Sequence, residues 1–455
     1  MKDSIITSKE EFELMFRDYV SPLLGISNNN SQYGKNKNEN NELVKLKKQT
    51  LCFYESLDSD KCYMVKVSKN FPKGNLNLLK TVYNEMMKVR HKNYDESIKN
   101  EYDSLQHLKK NYEYQLQKSL LNWFSGSNTN LLELIEKLEY WKEKTYEGKK
   151  VPFAFLIDTK SDDGEFPFMD FLEEEYSATF SDGITSIIEL DSKLKFLSLK
   201  SITDKDVNIV HKLDNVPYRF SQIIETFTIG KIAVFLLING DIVLVKNCEI
   251  MLVKREGKWL NFNKEVFKSI ISAELEQQND EFLNLINEIY LSSLDVSFAH
   301  SGGIIACINK KNIPLLIESQ KDSTSILNKL DNLLPDNVIN TPTTFDNQEI
   351  RKRFLKRNFL LNIIKNNSFK VIDRKMRSEL ISMDGATIID FDGNIISVGA
   401  IIQNDSGSYG GGRGAAAKKL SKFGFAIKIS TDGYVEVYIN ERIKYRIKWV
   451  YFFWY

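Results

Sequence analysis

The chain has 455 residues, 42% of them hydrophobic and 27% charged, ordinary proportions for roughly two to four domains with real cores. Its 62 Lys and Arg against 61 Asp and Glu leave a formal charge of +1, which excludes a global electrostatic pull toward nucleic acid or an anionic membrane. The N-terminus lacks the apolar core of a signal peptide, and no run approaches the length of a membrane span.

Residues 1–75 read as an N-terminal segment. Phe12, Met15, Phe16 and Val20 recur near helical spacing, so a short amphipathic helix is expected within the first 26 positions. The run NNNSQYGKNKNENN, Asn28–Asn41, is polar and of low complexity, and is expected to remain a disordered loop. Thr50–Tyr54 and Tyr63–Val67 then read as strands. From Leu76 to Lys149 no proline interrupts a dense mixture of charges with Leu, Tyr and Met, and SGSNTN (125–130) divides the stretch in two. Residues 76–150 are therefore expected to form a helical hairpin with Lys and Glu on a solvated face.

Residues 151–275 read as an α+β domain. Its clearest part is 232–262, where Asn239-Gly240 and Glu256-Gly257 mark reversals between β-branched runs. A three-stranded antiparallel meander is expected, with Trp259 in its core.

From Asp280 a helix leads to the glycine-bounded apolar strand Gly302–Ile308, and residues 320–365 turn polar and helical. Met383-Asp384-Gly385-Ala386 opens a second strand. It is followed by an Asp-Gly turn at Asp392-Gly393 and a third strand, Ile395–Ala400. Next, Ser406–Gly414 reads as a glycine-rich loop running into an alanine-rich helix from Ala415. Such a loop presents unpaired amides and the positive helix end to a phosphate, with Arg413 adding charge. A carboxylate such as Asp384 suits a divalent cation shared with phosphate oxygens. The aromatic 441–455 end is expected to be a terminal strand or docking tail.

The order GGIIACI (302–308), DGA (384–386), GGRGAAAKKLS (411–421) and IKISTDG (427–433) resembles the diadenylate cyclase family. That family shows a GALIV-type strand, a DGA motif and a GTRHRAA motif. Over residues 280–440 the resemblance implies an α/β fold with a mixed sheet flanked by helices. It implies condensation of two ATP into the second messenger cyclic di-AMP with Mg²⁺ or Mn²⁺, on a face-to-face homo-oligomer. Asp384 then corresponds to the catalytic, metal-binding aspartate, with Gly385 and Ala386 lining the nucleotide. Gly411, Gly412, Arg413 and Gly414 fall on the second motif, with Arg413 catalytic near the triphosphate. Ser430 is placed by the nucleotide and Asp432 near the metal. Gly414 and Ala415 stand where the family has His and a second Arg, so a nucleotide or cyclic-dinucleotide sensor is the alternative. Residues 1–275 would then act as a sensor-like region in a cytoplasmic, bacterial signalling enzyme.

Other chemistry finds little footing. Cys52, Cys62, Cys248 and Cys307 are far apart in sequence with no CxxC pair, so neither zinc nor a disulfide framework is expected and the compartment reads as reducing. His91, His107, His211 and His300 lack ligand spacing and read as structural or surface residues. Neither a GxSxG elbow nor a Walker A loop occurs.

Overall fold

A computed structural model describes residues 8–20, 31–48, 50–66, 73–95, 101–126, 130–174, 180, 182–202, 216–260, 262, 264–319, 364, 368–402 and 411–447. The expectations for residues 28–30, 320–363, 406–410 and 448–455, and for His211, lie outside the described residues. The molecule is a mixed α/β protein with four sheets among the described residues, and the chain divides into one unit built on residues 1–266 and another on Phe267–Lys448. None of the described helices is long and apolar enough to cross a membrane.

In the first unit, α1 (Ser8–Met15) continues as a π-helical turn, Phe16–Val20. The strands β1 (Ser31–Lys35), β2 (Val44–Lys47), β3 (Thr50–Tyr54) and β4 (Lys61–Lys66) form an antiparallel sheet ordered β1-β4-β3-β2. The polar run expected to be disordered thus supplies β1. Its order comes from the sheet edge rather than from hydrophobic burial: β1 pairs along β4, and Tyr33 lies 5.1 Å from the Tyr63 ring. Asn38 extends the anchoring, donating to the Leu57 carbonyl at 2.9 Å and accepting from the Glu42 amide at 3.2 Å. A polar segment with partners for its amides needs no core of its own.

The charged stretch forms three helices rather than two: α2 (Lys73–Asp95), α3 (Glu101–Ser125) and α4 (Leu131–Trp141). Leu131, Leu134, Ile135, Leu138 and Trp141 bury one stripe of α4, the amphipathic pattern of a docked helix. A two-stranded ribbon, β5 (Thr145–Tyr146) with β6 (Lys149–Lys150), follows.

Next come β7 (Phe153–Ile157), α5 (Phe168–Phe171), β8 (Ser186–Leu190), β9 (Phe196–Ser201), α6 (Ser221–Phe227), β10 (Ile232–Leu236), β11 (Ile242–Lys246), β12 (Glu249–Arg255) and β13 (Lys258–Leu260). The seven strands from β7 to β13 form one sheet ordered β13-β12-β11-β10-β7-β8-β9, parallel only between β7 and β8. The meander has four strands, not three, because Asn247 and Cys248 turn with φ of 52° and 61°. A cysteine in left-handed backbone carries no turn signature, so the reversal was invisible in sequence. Trp259 is buried as expected. Its ring nitrogen donates to Gln117 on α3 at 3.2 Å.

After α7 (Lys264–Leu275), the second unit comprises α8 (Asp280–Ala299), β14 (Gly303–Ile308), α9 (Ile313–Glu318), α10 (Arg374–Ser382), β15 (Ala386–Asp390), β16 (Ile395–Ala400), α11 (Gly411–Leu420), β17 (Gly424–Ile429), β18 (Val435–Ile439) and β19 (Arg442–Ile447). Its six strands are ordered β16-β15-β14-β17-β18-β19. Only β14 and β15 are parallel, so the sheet is mixed.

Helices cover both faces of this sheet. On one, Phe282 of α8 meets the rings of Phe391 and Phe425, and Thr387 donates to the Leu380 carbonyl of α10. On the other, Ala416, Ala417 and Leu420 of α11 and Leu316 of α9 join Ile304, Ala306, Ile388 and Ala426 in one apolar cluster. Part of the expected tail is β19, the sheet's edge strand.

Candidate functional site

The elements that carry the sequence motifs are fixed from beneath by ion pairs. Arg374 of α10 makes two bonds to Asp295 of α8, at 2.7 and 2.8 Å. Arg377 reaches Glu288 at 2.5 Å. These partly buried, charge-assisted contacts set α10 against α8, and so place the segments that follow each helix. His300 caps α8 in left-handed backbone (φ 53°), with Nδ1 3.1 Å from the Thr431 carbonyl. Ser301 and Ser382 share a hydroxyl contact of 2.8 Å.

Two adjacent glycines enter β14 for different reasons. A Cβ on Gly302 (φ 69°) would stand 2.5 Å from Nη1 of Arg413 and 3.1 Å from Thr431. On Gly303 it would meet the Ile381 carbonyl at 2.2 Å. The first glycine therefore accommodates the guanidinium and the second accommodates α10. Gly385 (φ 98°) has a packing reason of its own, since a Cβ there would lie 2.4 Å from the Gly399 backbone. The register of β15 with β16 shifts beside it. This close approach shapes the turn that presents Asp384, which is exposed.

Helix α11 starts at Gly411 (φ 78°), so Gly412, Arg413 and Gly414 form its first turn instead of the expected loop. Docking of Ala416, Ala417 and Leu420 onto the sheet offsets the weak helical propensity of those glycines. Arg413 is exposed, and among the described atoms a Cβ on Gly411 or Gly412 would meet nothing within 4 Å. Ser430 and Asp432 lie in the tight turn from β17 to β18, closed by the Gly433 amide bonding to the Ser430 carbonyl at 2.9 Å. Asp432 is exposed there.

All these groups lie at one edge of the sheet: the starts of β14, β15, β18 and α11, and the ends of β16 and β17. Asp384 and Arg413 come there from segments on either side of β16, while Ser430 and Asp432 come from the strand on the far side of β14. Asp384 precedes β15 and Asp432 lies in the turn after β17, the two strands that flank β14. No group of three or more His, Cys, Asp or Glu side chains among the described residues is placed to hold a metal ion. The donors fit a cation held by one carboxylate and phosphate oxygens, not an all-protein cage.

Just below this edge lies a charged cluster with no sequence signature. Glu436, almost fully buried, accepts from Lys428 at 3.1 Å and from the Tyr438 hydroxyl at 3.0 Å, and forms an ion pair with Arg446 at 2.8 Å. The register sets Ile304, Lys428, Glu436 and Arg446 in one cross-strand row, on the face covered by α11. The Tyr438 hydroxyl is 3.9 Å from where a Gly414 Cβ would stand. Burial pushes the Glu436 carboxyl up, but Arg446, Lys428 and the hydrogen bonds outweigh it and hold it below the usual carboxylate value. Burial and the neighbouring Glu436 push the Tyr438 phenol up. These residues are ten or fewer positions apart on successive strands, and only the pairing register reveals their meeting.

A cavity of about 780 Å³ opens at the opposite edge, lined by Asp280, Phe282, Lys310, Lys311, Phe391 and Asp392 among others. None of the sequence-predicted residues lines it. In comparisons with known proteins, no family model matches the chain and no curated protein matches its sequence.

Proposed function

We propose that the second unit binds a nucleoside triphosphate at the edge carrying Asp384 and Arg413, and condenses two ATP into cyclic di-AMP. The observation that supports this reading is the meeting, at one sheet edge, of an exposed carboxylate, an exposed guanidinium and the first turn of a helix. Those are the three groups a metal–triphosphate needs.

In this reading Asp384 holds the divalent cation, Mg²⁺ or Mn²⁺, through one carboxylate. The cation, when bound, supplies charge neutralisation at the phosphate oxygens. Arg413 and the first amides of α11 stabilise the negative charge on the departing pyrophosphate. Gly385 and Ala386 border the nucleotide, and Ser430 offers a hydroxyl from across β14. Each 3′-hydroxyl attacks the α-phosphorus of the facing ATP in line, forming one P–O bond as the bond to pyrophosphate breaks. Two such transfers close the ring, so two protomers must face each other. The first unit serves as the sensor-like region of a cytoplasmic signalling enzyme.

One observation favours a second reading, a nucleotide or cyclic-dinucleotide sensor without turnover. Gly414 and Ala415 leave Arg413 as the lone cation of its motif. The test is incubation of the full chain with ATP, and separately with the other nucleoside triphosphates, plus Mn²⁺ or Mg²⁺, followed by mass spectrometry. A cyclic dinucleotide that disappears in Asp384→Asn is the expected result. Bound nucleotide without product would establish the sensor reading, and absence of both binding and product would sink each.

A further inference from the structure

The four cysteines, distant in sequence, are not equivalent in the fold. Pairing of β3 with β4 sets Cys52 opposite Met64 and Tyr54 opposite Cys62. Both thiols therefore project from one face as diagonal neighbours. They form one buried cluster with Tyr54, against which Met64 packs. A hairpin returns the chain on itself between positions 52 and 62 and so brings two separated cysteines together.

The surroundings distinguish the two sulfurs. Asn36 donates from Nδ2 to the Cys52 sulfur at 3.1 Å, and its carbonyl oxygen accepts from Lys47 at 3.0 Å. The Cys62 thiol, then Asn36, Tyr54 and Lys47, favour the Cys52 thiolate and lower that group. The same contact, together with burial, raises Cys62 and keeps it protonated. By contrast, Cys307 is buried beside Asp390 and pushed well up, which makes it inert.

We propose that Cys52 and Cys62 form a reversible thiol–disulfide site for a small hydroperoxide, with Cys52 the attacking sulfur and Cys62 the resolving one. Asn36 and Met64, both partly exposed, border the site, so a small oxidant reaches Cys52 by displacing one polar side chain. The Cys52 thiolate attacks a peroxide oxygen and the O–O bond breaks. Cys52 becomes a sulfenic acid, and the departing hydroxide takes a proton to become water. The Cys62 sulfur then attacks the Cys52 sulfur. The S–O bond breaks, and the hydroxyl leaves with the Cys62 proton as a second water. Two thiols are oxidised to one disulfide while hydrogen peroxide is reduced to two waters. The step is independent of the nucleotide-binding reading.

Trypsin cleavage after Lys61 separates the thiols into peptides 49–61 and 62–66. The folded full chain would be treated with stoichiometric hydrogen peroxide, alkylated in denaturant, digested and analysed by mass spectrometry. The two peptides should appear joined, two hydrogens lighter, and separate again with dithiothreitol, while Cys248 and Cys307 remain alkylated. In Cys62→Ser, dimedone should label Cys52. In Cys52→Ser, Cys62 should stay alkylatable at the same dose. The proposal is overturned if Cys52 and Cys62 are still alkylated in the wild type at doses that oxidise Cys248. It is equally overturned if the joined peptides appear only after far-UV circular dichroism shows unfolding. The wild-type measurement decides the matter even if a variant fails to fold.

Discussion

Gly302 and Gly303 are neighbours in sequence, yet substitution should affect them through different physics. An alanine at Gly302 would meet the far end of a flexible side chain, Arg413, in a left-handed backbone. The side chain can move away, so Gly302→Ala should cost only about 1–2 kcal/mol for the backbone conformation. Displacing the guanidinium should, however, weaken triphosphate binding. At Gly303 the obstacle is the Ile381 carbonyl, and backbone cannot step aside. Gly303→Ala should therefore lower stability by about 3 kcal/mol or more, near the upper end of overpacking costs. Thermal melts and nucleotide titrations of both variants check the contrast. If Gly302→Ala bound nucleotide as tightly as wild type, the guanidinium would have no part in holding the triphosphate.

At the scale of the elements, the β17–β18–β19 edge is tied together by a buried charge. The Glu436 carboxyl lies below its ordinary value of 4.5 in the folded chain. A carboxylate held low contributes stability that is present in full above the unfolded value. That stability is lost as pH falls through the lower folded value. Acidification below about 4.5 should therefore loosen this edge. Glu436→Gln should remove that part of the pH dependence and cost about 1–3 kcal/mol at neutral pH, because Lys428 and Arg446 lose their buried counter-charge. Melting temperatures of the two proteins across the acid range test it, and parallel curves would show the carboxylate uninvolved. Sequence made β14, β15 and β16 readable because their apolar runs are bounded by glycine and an Asp-Gly turn, but it gave no sign of β18. It concealed the Glu436 cluster, whose members meet only through register. It also misplaced the start of α11, where docking of Ala416 and Ala417 overrides glycine propensity, and missed β1, which a neighbouring edge orders.

For the whole molecule, Asp384, Arg413, Ser430 and Asp432 come from separate sequence motifs and lie along one end of the sheet. What spacing could not supply was the reason for the glycines. Gly303 and Gly385 are required by close backbone approach, whereas among the described residues nothing stands within 4 Å of where a Gly412 Cβ would be. A cyclic dinucleotide needs two P–O bonds, each made by one protomer's hydroxyl at the other's α-phosphorus. Half-competent pairs should therefore yield no ring. After subunit exchange at equal amounts of wild type and Asp384→Asn, half of the wild-type protomers face a defective partner. Output per wild-type protomer should then fall to about half, given random pairing in a two-fold arrangement. Product formation per protomer should also rise with protein concentration until pairing saturates. If mixing leaves output per wild-type protomer unchanged, each protomer completes its chemistry alone and the face-to-face arrangement is wrong, whatever nucleotide the edge binds.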